Sequence, residues 1–131
     1  MKKYYLLINP KGGHKKGFYI FNQIKSIFKN SSIKLTEIET EYAGHAFDLA
    51  KSLDYNKFDG ICAIGGDGTM YEIINGMLKR IQNEMESDNI NVILTGGFSS
   101  LISKELKCNH YHEPLLTLHG MRLINEKNNS L

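Results

Sequence analysis

Apolar residues come in short bursts along this chain, and their spacing changes from burst to burst. Tyr4 to Ile8 is a continuous apolar run, the pattern of a parallel strand buried on both faces. Phe18, Ile20, Phe21, Ile24, Ile27 and Phe28 then recur at helical spacing. Asn30-Ser31-Ser32 predicts a turn. Ile33 to Ile38 alternates apolar with polar, which predicts a second strand with Ile33, Leu35 and Ile38 inward. Ala46, Leu49, Ala50 and Leu53 predict a helix over His45 to Leu53. Gly60 to Ile64 is a third apolar run. Met70, Ile73, Ile74, Met77 and Leu78 then share one helical face, in a helix reaching about Arg80.

Strand and helix thus alternate three times, which implies a parallel sheet with helices on both faces and right-handed crossovers. The fold class expected is α/β, Rossmann-like and three-layered, in a single small domain. Gln82 to Asn91 is polar and acidic and reads as a fraying helix end and a loop. Val92-Ile93-Leu94 predicts a fourth strand, Thr95-Gly96-Gly97 a turn, and Ser99 to Leu106 a helix. Leu115 to Glu126 predicts an amphipathic closing helix, in which Gly120 implies close packing. The division expected lies near residue 81, with 1–81 one subdomain and 82–131 completing the sheet.

The third run ends in Gly65-Gly66-Asp67-Gly68-Thr69 and passes straight into a helix. Glycines there let the backbone approach a bulky anion and permit positive φ. The amides of the following helix N-terminus then point at that anion. Asp67 would repel bare phosphates, so it implies a divalent cation between them or a proton taken from an attacking hydroxyl. A plain strand-turn-helix with packing glycines is the other reading. The first run ends comparably in Asn9-Pro10-Lys11-Gly12-Gly13, followed by His14, Lys15 and Lys16. Those cations fit either a phosphate clamp or a solvated loop. In parallel sheets ligands gather at the carboxyl ends of strands, where Asn9, Thr40 and Gly65 all stand.

Composition narrows the classes. The chain has 131 residues, 41% hydrophobic and 23% charged, so a packed core is expected. A net charge of +2 and no run of Lys and Arg argue against a nucleic-acid partner. Cys62 and Cys108 do not make a disulfide framework and read as reduced thiols in a cytoplasmic protein, with Cys62 buried. No stretch is long enough to span a bilayer, and the apolar run after Lys3 is too short for a signal peptide. His110 and His112 share one face of an extended segment, but further ligands at metal-binding spacing are lacking, so no metal site is expected. Oligomeric state is not legible.

Gly65-Gly66-Asp67-Gly68-Thr69 with Glu72 and Asn75-Gly76, Asn9-Pro10-Lys11-Gly12-Gly13, and Thr40-Glu41-Tyr42-Ala43-Gly44-His45-Ala46 occur in the order and spacing of one family. Over about residues 3–80 the chain resembles the nucleotide-binding part of the diacylglycerol kinase and sphingosine kinase superfamily. The resemblance implies ATP and Mg²⁺ as cofactors, a lipid alcohol as substrate and peripheral contact with a membrane. It implies a nucleotide site of Asn9, Pro10, Lys11, Gly12, Gly13, Thr40, Gly65, Gly66, Asp67, Gly68, Thr69, Glu72 and Asn75, with Asp67 catalytic as base or through Mg²⁺. His45 would touch the ligand or cap its helix. In such kinases a second, β-rich domain holds the lipid, and none follows here. A non-catalytic nucleotide-binding domain and a ligand-free remnant are therefore alternatives.

The family's next strand ends in Pro-x-Gly-Thr/Ser-x-Asn, and this chain lacks that proline and asparagine. Thr95, Gly96 and Gly97 are either a degenerate form of it, extending the nucleotide site, or part of another pattern. Val92 to Gly97 together with Glu113 to Ile124 resembles the carboxyl-terminal end of type III pantothenate kinases. That second resemblance, over about residues 90–127, implies a fusion of two kinase fragments.

Overall fold

Tyr4 and Tyr5 are half-buried and Leu6, Leu7 and Ile8 fully buried, so the first apolar run forms the central strand, as continuous hydrophobicity requires of a strand covered on both faces. The computed structural model describes residues 1–12, 16–86 and 90–129. It divides into two units, Met1–Glu86 and Ser87–Leu131.

The first unit runs β1 (Lys2–Ile8), α1 (Gly17–Lys29), β2 (Ile33–Glu39), α2 (His45–Ser52), β3 (Gly60–Ile64) and α3 (Asp67–Glu84), with a 3₁₀ turn at Tyr55–Lys57. The sheet is parallel in the order β2-β1-β3, with Tyr4 opposite Leu35 on one side and Gly60 on the other. Because side chains alternate along a strand, β1 feeds two cores. Leu6 and Ile8 pack with Phe21 of α1 and Ile64, joined by Leu35 and Cys62. Leu7 points the other way, onto Ala46 and Ala50 of α2 and Ile73 of α3, joined by Ile38 and Ile61. This unit is thus the three-layer α/β arrangement expected.

Helices α2 and α3 are close neighbours because Gly76 lets them touch. A Cβ at Gly76 would stand 2.4 Å from the Phe47 carbonyl oxygen and 2.9 Å from the Ala50 Cβ. Gly76→Ala is therefore expected to destabilise the fold by about 1–3 kcal/mol despite alanine's better helix propensity, because the clash is with backbone. A urea midpoint equal to or above the parent's would contradict this packing. Arg80 adds a polar staple. Its guanidinium lies 4.6 Å over the Tyr55 ring, bonds Glu84 Oε1 at 2.6 Å and reaches the Leu53 carbonyl at the end of α2. The Tyr55 hydroxyl donates to the Ala50 carbonyl at 2.7 Å, and burial holds its phenol above the ordinary range.

The second unit holds β4 (Val92–Leu94), α4 (Ser99–Ser103), β5 (His110–His112) and α5 (Leu116–Asn128). Here expectation and structure part. The fourth strand exists, but it pairs in parallel with β5 in a sheet of two, not as the fourth member of the first sheet. His110 and His112 sit in β5, where each imidazole Nε2 meets a serine hydroxyl of α4, Ser103 and Ser99 respectively, at 2.8 Å. They are fixed as strand-to-helix contacts, and among the described residues no cluster of metal ligands forms. Helix α4 stops three residues short of Leu106. Helix α5 buries none of its residues, and a Cβ at Gly120 would meet nothing within 4 Å, so that glycine does not mark close packing.

Other corrections are local. Cys62 is half-buried rather than buried. Cys62 and Cys108 are both free thiols. The buried side of α3 passes through Thr69, Ile73 and Gly76, while Met70 and Met77 are exposed. The residues facing α2 decide that burial, and the small Gly76 on that side is invisible to an apolar pattern. Among the described residues no helix is long and apolar enough to cross a membrane.

Candidate functional site

Three loops leave the carboxyl ends of three neighbouring parallel strands and so stand side by side. The Asn9 loop leads to α1 on one face of the sheet, and the Gly65 loop leads to α3 on the other. That divergence opens a crevice between β1 and β3, where α/β sheets bind ligands.

Asn9 ties the crevice together. Its amide donates to the Ile64 carbonyl at 2.8 Å, continuing the sheet by one bond. Its side-chain Oδ1 accepts from the Lys11 and Gly12 amides at 3.0 and 3.1 Å, folding the loop back on itself. Its Nδ2 donates to Thr69 Oγ1 at 2.9 Å. One asparagine therefore fixes the first loop against the first turn of α3. Asn9→Ala removes all three side-chain bonds and strands the Thr69 hydroxyl, which is 4% exposed. A loss of about 1–3 kcal/mol is expected, read as a lower melting temperature, and an unchanged melting curve would deny Asn9 this role.

The Gly65-Gly66-Asp67-Gly68-Thr69 turn differs from expectation. Helix α3 begins at Asp67, with Gly66 as N-cap in extended geometry (φ −93°). Asp67, Gly68 and Thr69 are thus first-turn helical residues rather than loop residues. Positive φ among described glycines occurs at Gly44 and Gly96 only. Gly65 is required for close approach instead, because a Cβ there would lie 2.5 Å from Thr69 Oγ1. The Thr69 and Met70 amides turn back to the Gly66 carbonyl at 3.0 and 3.2 Å. The first amides of α3 lack intrahelical acceptors, as at every helix start, and offer donors and positive potential to an anion. Asp67 is exposed in that turn, where a carboxylate also suits the helix dipole.

The third loop comes from β2. The Thr40 amide bonds the Ile8 carbonyl at 2.9 Å. Gly44 then takes φ 91°, a left-handed geometry that favours glycine, and its amide donates to Glu72 Oε1 at 3.0 Å. Glu72 so joins α3 to the start of α2. His45 Nδ1 accepts from the Glu41 amide at 3.0 Å, and its ring stacks on Tyr42 with centroids 4.5 Å apart. The bond goes to an amide ahead of α2 and not to one of its first turn, so His45 orders the preceding loop and does not cap the helix. The Tyr42 hydroxyl donates to Asp48 Oδ2 at 2.8 Å, a bond that holds its phenol above the ordinary value.

A cavity of about 400 Å³ lies among these loops. The expected site residues Asn9, Lys11, Gly12, Thr40, Gly66, Gly68, Thr69 and Glu72 line it. Pro10, Gly65, Asp67 and Asn75 do not. Gly65 shapes the turn behind it, and Asn75 is buried inside α3, donating to the Tyr71 carbonyl at 2.8 Å. Gly13, His14 and Lys15 lie outside the described residues. Thr95, Gly96 and Gly97 belong to the second unit, where the Gly96 carbonyl accepts from the Ser99 amide and hydroxyl at 3.1 and 2.6 Å and so starts α4. Glu41, Tyr42 and Ala43 line the cavity but were not singled out. Their place between Thr40 and Gly44 was the available signal.

The diacylglycerol kinase catalytic domain matches residues 3–118. The chain belongs to that family. The match covers the first unit from residue 3 and the second as far as residue 118, so it takes in Val92 to Gly97 and only part of Glu113 to Ile124 of the stretch likened to pantothenate kinases, and that second likeness finds no support in the comparisons. Curated relatives include a protein named sphingosine kinase 1 of Arabidopsis thaliana, 40% identical over 80 residues, which cover 60% of this chain and 16% of the relative. Another, sphingoid long-chain bases kinase 1 of the same plant, is 38% identical over 103 residues, 76% of this chain and 14% of the relative. A ceramide kinase of Oryza sativa subsp. japonica is 31% identical over 140 residues, 88% of this chain and 23% of the relative. The chain therefore spans less than a quarter of the length of these members of the diacylglycerol kinase family.

Proposed function

We propose that residues 1–86 are the ATP-binding part of a lipid kinase, with the phosphates held in the cavity between the Asn9, Thr40 and Gly66 loops. The observation that carries this reading is the meeting of three separate sequence motifs around one cavity at the switch point of a parallel sheet. The cavity's volume falls within the range of small-molecule sites. Its donors suit phosphate oxygens: the first-turn amides of α3, the Lys11 ammonium, the Gly12 backbone and the Thr40 hydroxyl. Gly68 leaves open space beside it, since a Cβ there would meet nothing within 4 Å.

The fit to Mg²⁺ follows from the carboxylates present. Mg²⁺ is usually held by one or two carboxylates and by substrate phosphates rather than by a protein cage. Asp67, exposed at the head of α3, is the carboxylate assigned to it. When bound, Mg²⁺ would spread the negative charge of the phosphates. Asp67 alternatively takes the proton of the attacking hydroxyl as the oxygen bonds to the γ-phosphorus and ADP leaves. Glu72, engaged by the Gly44 amide, holds the Thr40 loop against α3 rather than reacting.

The relatives are named for sphingosine, sphingoid bases and ceramide, so the acceptor proposed is a lipid alcohol, met by a cytoplasmic protein in peripheral contact with a membrane. Transfer is proposed for a complete enzyme built on such a domain, and nucleotide binding for these residues themselves. Because the chain covers so small a share of its relatives, nucleotide binding without turnover on sphingoid bases or diacylglycerol is the second reading. Calorimetric titration with Mg-ATP tests both. Saturable heat is expected, and none at millimolar nucleotide would remove the proposal.

A further inference from the structure

A histidine that accepts a hydrogen bond does so only with an unprotonated ring nitrogen, so its partner decides whether the contact survives a change of pH. His110 and His112 present Nε2 to serine hydroxyls at 2.8 Å. A hydroxyl donates or accepts, so either protonation state of those rings keeps a partner. His45 is different. Its Nδ1 stands 3.0 Å from the Glu41 amide, and a backbone amide only donates. Nδ1 must therefore carry the lone pair, and the neutral ring keeps its proton on Nε2. Protonation would set an Nδ1–H against the Glu41 N–H, donor facing donor.

The segment that this bond orders is part of the cavity wall, since Thr40, Glu41, Tyr42 and Ala43 all line the cavity. Its ends are tied elsewhere, by the Thr40 amide to the Ile8 carbonyl at 2.9 Å and by the Gly44 amide to Glu72 Oε1 at 3.0 Å. Its middle leans on His45. Besides the Glu41 bond, the His45 ring stacks on Tyr42 with the two planes 10° apart, and the His45 amide donates to the Tyr42 carbonyl at 3.2 Å. The charged groups reached through these contacts are carboxylates from three elements: Glu41 of the loop, Asp48 of α2, which accepts from the Tyr42 hydroxyl, and Glu72 of α3. The N-terminus of α2 adds positive potential at His45 itself.

We propose that His45 is a positioning residue that keeps the Thr40 loop in its cavity-lining shape only while its imidazole is neutral. The loop is then ordered at neutral and alkaline pH. As the pH falls and the ring takes up a proton, the Glu41 amide loses its acceptor and the wall from Thr40 to Ala43 loosens. A ligand held against this wall is released by acid. His45 is not among the residues lining the cavity, so it acts through the loop and not on the ligand. The consequence for ATP rests on the function proposed above, whereas the response of the loop to protons does not.

The test is an NMR titration of the whole 131-residue chain without nucleotide, from about pH 8 to about pH 5. The Glu41, Tyr42 and Ala43 amides are expected to shift in step with the His45 ring signals, and this needs no variant. His45→Asn places a carbonyl oxygen near the position of Nδ1, an acceptor at every pH, and should hold those amides still. His45→Leu has no acceptor and should show at the alkaline end the shifts that the parent reaches only in acid. The other four histidines are present in every protein compared, so the difference belongs to His45. In calorimetry, Mg-ATP affinity should fall between the two pH limits roughly three- to tenfold more in the parent than in His45→Asn, the protonation of ATP itself being common to both. A Glu41 amide that ignores the titration of the ring overturns the proposal, and so does an equal response in the parent and His45→Asn. If ATP gives no heat with either protein, the function proposed above fails and the loop titration still decides this inference.

Discussion

Gly68→Val is expected to weaken ATP binding by roughly a hundredfold or more while leaving the fold as stable as before. Gly68 is the second residue of α3 and lines the cavity. Apart from its chain neighbours and the backbone of α3 itself, no described atom lies within 4 Å of a Cβ built there, so the new side chain has room in the protein itself. It would instead fill the space proposed for phosphate and shield the amides beside it. Stability should change by less than about 1 kcal/mol, since valine is the better helix residue and the site is exposed. Gly65→Ala gives the contrast. Its Cβ would fall 2.5 Å from Thr69 Oγ1 and 2.7 Å from Thr69 Cβ, so affinity and stability should drop together. Calorimetry alongside thermal unfolding separates the pair, and Gly68→Val with full ATP affinity would empty the cavity of its proposed ligand.

Asp67→Asn carries the second large effect. The substitution keeps the size and removes the charge from the first turn of α3. With the anion–anion repulsion gone, ATP should bind without Mg²⁺ on the order of tenfold more tightly than to the parent, and the dependence on Mg²⁺ should shrink. In a complete kinase, phosphoryl transfer should fall by a factor of about 10² or more, as loss of a positioned acid–base group or metal contact usually produces. Asp67 is also placed where a carboxylate merely favours the helix dipole. In that case Asp67→Asn would cost a few tenths of a kcal/mol in stability and leave both nucleotide affinity and its Mg²⁺ dependence untouched. One titration series with and without Mg²⁺ distinguishes the two.

Much of the site could be read from the chain because its logic is local. Each of the three motifs ends a strand, and parallel strands put their carboxyl ends on one edge, so Asn9 and Thr40 line one cavity, while of the third motif Gly66 lines it in place of the expected Gly65. The strands themselves were legible from the unbroken apolar run of Tyr4 to Ile8 and the alternation of Ile33 to Ile38. What could not be read depends on partners distant in sequence. The Asn9–Thr69 bond spans 60 residues, and nothing near either residue announces it. Burial along α3 follows the approach of α2 at Gly76, whereas the apolar pattern pointed to Met70 and Met77. Strand β5 has three residues, His110, Tyr111 and His112, too few for a period of two to register. Helix α5 has apolar residues at 116, 118, 121, 123 and 124, yet all are exposed; hydrophobicity alone does not supply the surface that covers it.

The central claim is that three loops form one phosphate site. A ¹⁵N NMR titration of the chain with Mg-ATP tests it most directly, because it reports on each amide separately. Shifts should saturate together at Gly12, Thr40, Gly66, Gly68 and Thr69, with one common affinity. Shifts confined to one of these loops, or gathered at Thr95, Gly96 and Gly97 while Gly68 and Thr69 stay still, would contradict it.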